Sequence, residues 1–156
     1  MGKYLKIAFA AAITAFMATT ACNKDEGCSI HPEAFRFSII DSESKADLLA
    51  AEVYRIEDIG IHYFYNDERQ DLIVNLETNP EGEYTELFSA QLPMISLTGR
   101  SDVFYLYLSR NVTDTLVVKM GNEMRDGCDY HPYATVIHNG RNLPIAEEGK
   151  AFILEK

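Results

Sequence analysis

An antiparallel β-sandwich of about seven to eight short strands is the fold class that this sequence predicts, and three observations predict it. Apolar residues recur with period two nearly everywhere from Ala34 onward. Clusters of Asn, Asp, Gly and Pro interrupt that alternation at short intervals. Asn139-Gly140 stands between two apolar runs, where a type I′ hairpin turn needs positive φ at both central positions.

Each strand follows from its own pattern. Phe35, Phe37 and Ile39 alternate with Arg36 and Ser38; Ile59, Ile61, Tyr63 and Tyr65 alternate with Gly60 and His62; Leu72, Val74 and Leu76 sit opposite Asn75 and Glu77. These read as half-buried strands. Val103 to Ser109 is apolar on both faces, as a central strand should be. Leu116, Val118 and Met120 alternate with Thr115, Val117 and Lys119, the hairpin follows on either side of Asn139-Gly140, and Ala151 to Leu154 closes the set. Ser44 with Asp47, ahead of Leu48, Leu49 and Ala51, has the spacing of a capping box, so a turn or two of helix is expected between the first two strands.

The N-terminus has a different character. Lys3 and Lys6 form a positive region, Ile7 to Met17 an unbroken apolar run, and Thr19-Thr20-Ala21 places small residues before Cys22. A bilayer core of ~30 Å needs about 20 apolar helical residues, so this run is too short for a permanent span and reads as a removable export signal. The pattern resembles the signal of bacterial lipoproteins. That resemblance implies that Cys22 receives diacylglycerol, that residues 1–21 are cut away, and that Cys22 becomes the acylated N-terminus. Thr19 stands where such signals usually hold Leu, which keeps ordinary secretory cleavage open as an alternative. Several acyl chains, at about 0.8 kcal/mol per buried methylene, would hold the chain on a membrane.

Three segments are expected: the signal at 1–21, a lipidated flexible tether at 22–33, and a single sandwich domain at 34–156. Lys3 and Lys6 are the only charges in the signal, so the full-length net charge of −10 becomes more negative once it is removed. Strong acidity argues against nucleic acid and anionic headgroups as partners, because both repel it at contact range.

Asn23-Lys24-Asp25-Glu26 directly follows Cys22, and this resembles the export tags of surface-exposed lipoproteins of Bacteroidota, which carry Lys and acidic residues behind the lipidated cysteine. Further on, RFSIIDSESKADLL and YLYLSRNVTDTLVVK resemble small Bacteroidota lipoproteins of unknown function with an immunoglobulin-like or transthyretin-like sandwich. The resemblance implies a fold and an outer-membrane, surface-exposed location. It brings no active-site residues with it.

One local echo bears on chemistry: Gly27-Cys28-Ser29-Ile30-His31-Pro32 and Gly127-Cys128-Asp129-Tyr130-His131-Pro132 share the pattern GCxxHP. Cys28, His31, Cys128 and His131 together would suit tetrahedral zinc. Cys28 and Cys128 are also the two thiols left once Cys22 is lipidated, and such a pair in an oxidising compartment normally bonds, so a disulfide is the expectation and a zinc clip the alternative. Asp114-Thr115-Leu116 resembles the Asp-Ser/Thr-apolar sequon of Bacteroidota O-glycosylation, with Thr115 on the face opposite Leu116 and Val118.

Catalytic strings are weaker. Ser42 to Lys45 matches S-x-x-K, but the S-D-N and K-T-G companions are missing, and a polar turn is the better account. Ring stacking on a sugar has candidates in His62-Tyr63-Phe64-Tyr65 and in Tyr105 with Tyr107. Tyrosines two apart share a strand face, and in a sandwich that face is usually core, so packing is expected of them. The function expected is therefore a lipid-anchored envelope module for binding, adhesion or structural support, not an enzyme and without a cofactor, whose partner is an envelope protein or a glycan. A glycan-processing or other hydrolytic enzyme is the alternative.

Overall fold

The computed structural model describes residues 28–77 and 82–156. The signal segment, Cys22 and Asn23 to Glu26 lie outside the described residues. In chain order the strands among the described residues are β1 (Phe35–Ile40), β2 (Gly60–Tyr65), β3 (Glu68–Leu72), β4 (Asn75–Glu77), β5 (Glu86–Ser89), β6 (Val103–Ser109), β7 (Val112–Met120), β8 (Glu123–Arg125), β9 (Cys128–Tyr130), β10 (Tyr133–His138), β11 (Arg141–Asn142) and β12 (Phe152–Glu155), with an α-helix, α1 (Gln91–Leu97), between β5 and β6 and a single 3-10 turn at Ile56–Asp58 ahead of β2. The count exceeds the expected seven to eight because several strands are only two or three residues long.

Two open sheets carry the fold. The larger has the order β11-β10-β7-β6-β2-β3 and is antiparallel throughout; the smaller has the order β12-β1-β5-β4. Within the smaller sheet β1 pairs with β12 in parallel, the exception to the antiparallel pattern. The period-two signal explains the core between them. Phe35, Phe37, Ile39, Leu87, Phe152 and Leu154 from the smaller sheet meet Ile61, Phe104, Leu106, Leu108, Leu116 and Val118 from the larger one in a single buried cluster. Phe35 stacks on Phe152 with ring centroids 5.2 Å apart and meets the Tyr133 ring edge-on, so aromatic packing ties the sheets together. Each such side chain contributes about 1.5–3 kcal/mol on full burial.

Three local expectations need correction. Leu72, Val74 and Leu76 do not share a strand: β3 ends at Leu72 in the larger sheet and β4 begins at Asn75 in the smaller, so the chain changes sheets at Ile73-Val74. The Gln91 side-chain carbonyl accepts the Ile73 N–H at 2.8 Å at this crossing, and Leu76, on edge strand β4, is left 49% exposed. The segment around Ser44 to Ala51 is not a regular helix. Asp41 Oδ1 accepts from Ser44 N and Asp47 Oδ1 from Leu49 N and Ala50 N, so side-chain carboxylates close consecutive turns, and the α-type bonds are isolated ones, Lys45 N to Asp41 O and Ala51 N to Asp47 O.

The regular helix is α1 instead. Pro93 falls in its first turn, where a backbone N–H has no helical acceptor to lose, and Gly99 follows its end at φ 68°. Leu92 is buried in the core, and the Ser96 hydroxyl donates to Val118 O at 2.8 Å, which docks the helix on β7. The third correction concerns β6. It lies between β2 and β7 as a central strand should, but Phe104, Leu106 and Leu108 form its buried face, and Tyr105 and Tyr107 therefore face outward.

The Asn139-Gly140 turn has the geometry its residues call for, with φ of 47° and 82°. It joins β10 to β11.

Candidate functional site

The outer face of the six-stranded sheet is built by strand register. Asp71 on β3 lies opposite His62 on β2, His62 opposite Tyr105 on β6, and Tyr105 opposite Thr115 on β7. Cross-strand neighbours on one face have Cβ atoms about 5 Å apart, close enough for rings to meet. The His62 and Tyr105 rings accordingly stack at 5.2 Å between centroids and 19° between planes. Phe64, two residues along β2, stands nearly perpendicular to both, at 5.7 Å from His62 and 5.6 Å from Tyr105. Its side chain is half exposed.

Charge borders the rings. Arg69 lies opposite Phe64, and its Nε donates to Asp71 Oδ1 at 2.8 Å. His62 is 9% exposed although it belongs to the outward face, and its Nδ1 has no hydrogen-bond partner. Burial lowers its pKa below 6.5, the nearby Arg69 charge adds to the effect and Asp71 opposes it, so the ring is held in the neutral form. An unpaired polar atom in such a site costs about 1–3 kcal/mol of desolvation.

A second polar cluster is internal. Asp114, on the buried face of β7, receives His138 Nε2 at 2.8 Å on one carboxylate oxygen and Lys156 Nζ at 2.5 Å on the other. Burial raises the Asp114 pKa, but the bonds from Lys156, Asn139 and His138 outweigh it and hold the carboxyl below 3.8. His138 also lines a cleft of about 480 Å³ with Leu143, Ile145 and Phe152, between the β10–β11 hairpin and β12. A His–Asp pair has the composition of an acid–base dyad. The Asp114 carboxylate, bonded on both oxygens, joins β7, β10 and Lys156 directly after β12.

The two GCxxHP strings meet through their cysteines. Cys28 and Cys128 form a disulfide, their Cα atoms 4.5 Å apart across a sequence separation of 100. Ser29 bridges to Asp129 in parallel, and Ile30 N donates to Asp129 O at 2.7 Å, so residues expected within the tether are laid along β9. This bond consumes both sulfurs that the zinc alternative would need as thiolates, and no cluster of three or more His, Cys, Asp or Glu suited to a metal occurs among the described residues. His31 is exposed, while His131 is half-buried with Nδ1 3.4 Å from Gly121 O. Thr115 is half-buried on β7, its N–H donating to Asn139 Oδ1 at 2.9 Å. Ser42 to Lys45 forms the turn organised by Asp41.

The sequence pattern marks His62, Phe64 and Tyr105 as ring candidates but assigns them to packing. Phe64 and His62 alternate with Tyr63, and Tyr105 alternates with Phe104 and Leu106, so the outward set is present in the period-two pattern once the buried set is known. No family model matches the chain, and neither a curated protein nor a solved structure matches it.

Proposed function

We propose that this chain is a lipid-anchored component of the bacterial cell envelope, displayed at the outer-membrane surface, whose immunoglobulin-like or transthyretin-like sandwich serves as a non-catalytic binding, adhesion or structural accessory module. One observation carries the binding role: the outward face of the six-stranded sheet presents a preorganised group of rings, with Phe64 half exposed beside the His62–Tyr105 stack. Rigid aromatic side chains supply contact area at low entropic cost. The export signal ending at Cys22 supports the anchored location.

The experiment has two arms. Intact mass of the membrane-extracted chain should begin at an acylated Cys22, and Cys22→Ser should release the protein to the soluble fraction. An unmodified Cys22 in the membrane fraction overturns the anchor. Cells displaying the chain should be retained on a panel of immobilised envelope and extracellular polymers, and the Phe64→Ala/Tyr105→Ala variant should lose that retention. Retention by none of the panel, or retention indifferent to the double substitution, overturns the binding face.

A further inference from the structure

We propose that the face formed by Phe64, Tyr105, His62, Arg69 and Asp71 binds a neutral pyranose glycan, an assignment that rests on the binding role proposed above. Three properties of the face select this chemistry. A pyranose ring presents a face of axial C–H groups, and the half-exposed Phe64 ring offers the flat, electron-rich surface such a face stacks on. The same sugar displays equatorial hydroxyls at its rim, where a guanidinium and a carboxylate can donate and accept together. Arg69 and Asp71 are already locked to one another at 2.8 Å, directly beside Phe64 and His62 on the neighbouring strand.

The third property is the unpaired atom. His62 is about nine-tenths buried in the ring cluster, yet its Nδ1 has no hydrogen-bond partner. Buried polar groups are almost always satisfied, so one left open among aromatic rings at a surface is suited to a ligand hydroxyl. Its neutral state fits it to that exchange, since a neutral imidazole both accepts and donates. Phe64, half exposed and edge-on to the His62 ring at 5.7 Å between centroids, borders it on the outward face.

Charge separates a neutral glycan from the anionic ones. Arg69 is paired with Asp71, so its charge is not available to neutralise a uronate or sulfate, and the chain carries a net charge of −10. Anionic polymers meet long-range repulsion from the negative chain, and the cation beside the rings on β3, Arg69, is already paired with Asp71. A protein partner would need apolar surface on every side of the rings; Val103 and Val117 supply it on one side, whereas Arg69 and Asp71 on the other present the paired donor and acceptor that a sugar's hydroxyls use.

Affinity electrophoresis of the purified mature chain tests the assignment, using native gels that contain soluble β-glucan, xyloglucan, galactomannan or, as the anionic comparison, polygalacturonate. At least one neutral polymer should retard the wild type, and polygalacturonate should not. Phe64→Ala should weaken retardation by about tenfold or more, the usual scale for truncating an aromatic anchor. Phe64→Trp should preserve it, His62→Phe should weaken it while keeping the stack, and Leu76→Ala on the other sheet should change nothing. Thermal unfolding of each variant shows that loss of binding is not loss of fold. Retardation by no neutral polymer, equal retardation by polygalacturonate, or retardation that survives Phe64→Ala in a folded variant would each overturn the glycan site. These outcomes are read on purified protein outside the membrane, so they do not depend on whether Cys22 is acylated. If the glycan arm fails while the displayed chain is still retained by an immobilised protein through Phe64, the binding role stands and its ligand is a protein.

Discussion

Lys156 Nζ lies 2.5 Å from Asp114 Oδ1, and this ion pair ties the end of β12 in the smaller sheet to β7 in the larger one. His138 Nε2 takes the other oxygen at 2.8 Å, so one carboxylate holds three strands. Removing one partner of a buried pair strands the other, which typically costs about 3–5 kcal/mol. Asp114→Ala should therefore lower unfolding stability by roughly that amount in urea titrations, and Asp114→Asn by less, because the amide still hydrogen-bonds. A change under about 0.5 kcal/mol for Asp114→Ala would show that the pair is not formed in solution.

The same group sets an acid limit. Its folded pKa lies below the unfolded value near 3.8, so its contribution is fully present above that value and is lost as pH falls through the depressed folded pKa. The wild type should lose stability on acidification below about pH 4, and Asp114→Asn should show a shallower loss across the same interval.

His62 titrates with the same sign, although here it is the neutral form that the fold favours. Burial, with Arg69 adding to it, lowers the folded pKa below 6.5, so the unfolded chain binds the proton first as pH falls. The stability tied to the neutral ring is complete above pH 6.5 and declines below it until the folded pKa is reached. His62→Phe keeps the stack on Tyr105 and removes the titration. Melting temperatures measured between about pH 5 and 7 should decline in the wild type and run flat in the variant, relative to their values at neutral pH. Parallel curves for the two proteins would rule out a buried neutral His62.

Strand identity is legible wherever one face is buried and the other wet. β7 follows its alternation closely, β1 does so from Phe35 to Phe37 before Ser38 and Ile40 are buried as well, and Asn139-Gly140 turns where both positive φ values are needed. The facing of β6 is not legible, because VFYLYLS is apolar on both faces and only the packing of its neighbours decides that Phe104, Leu106 and Leu108 go inward. The break between β3 and β4 is hidden for a related reason. The alternation of Leu72, Val74 and Leu76 continues across it, and a change of sheet leaves no mark on period. α1 escapes the pattern because QLPMISL is about two turns long and contains proline. The network of Asp114, His138 and Lys156 joins residues 24 and 42 positions apart, and no local pattern links them.

Asn139 does more than supply a turn. Its Oδ1 accepts the Thr115 N–H and its own N–H donates to Thr115 O, both at 2.9 Å, so it extends the β7–β10 pairing one step past the strand end. Asn139→Gly keeps the positive φ and loses the side-chain bonds to Thr115 and to the Asp114–His138 pair, at a cost of about 1 kcal/mol or more. Asn139→Ala adds the left-handed penalty of about 1–2 kcal/mol and should be the less stable of the two in chemical unfolding. Equal stability of the two variants would mean that the backbone conformation at Asn139 is not the one described.

Cys28 and Cys128, 100 positions apart, close a loop that encloses β1 to β8, and most of the fold is held inside it. In the chain-entropy model such a cross-link removes about 4–5 kcal/mol of freedom from the unfolded chain, so reduction should lower the melting temperature by about 10 °C or more. The residues beside the bond add to it, since Asp129 N donates to Cys28 O at 2.8 Å and Ile30 N to Asp129 O at 2.7 Å, and these contacts would hold the sulfurs near each other when reduced. Alkylation of denatured, unreduced protein should label neither Cys28 nor Cys128, and Cys28→Ser/Cys128→Ser should reproduce the melting shift of the reduced wild type. Two labelled cysteines in protein purified without reductant, together with stoichiometric zinc lost in His131→Ala, would replace the disulfide by the metal clip that the paired GCxxHP strings also allow.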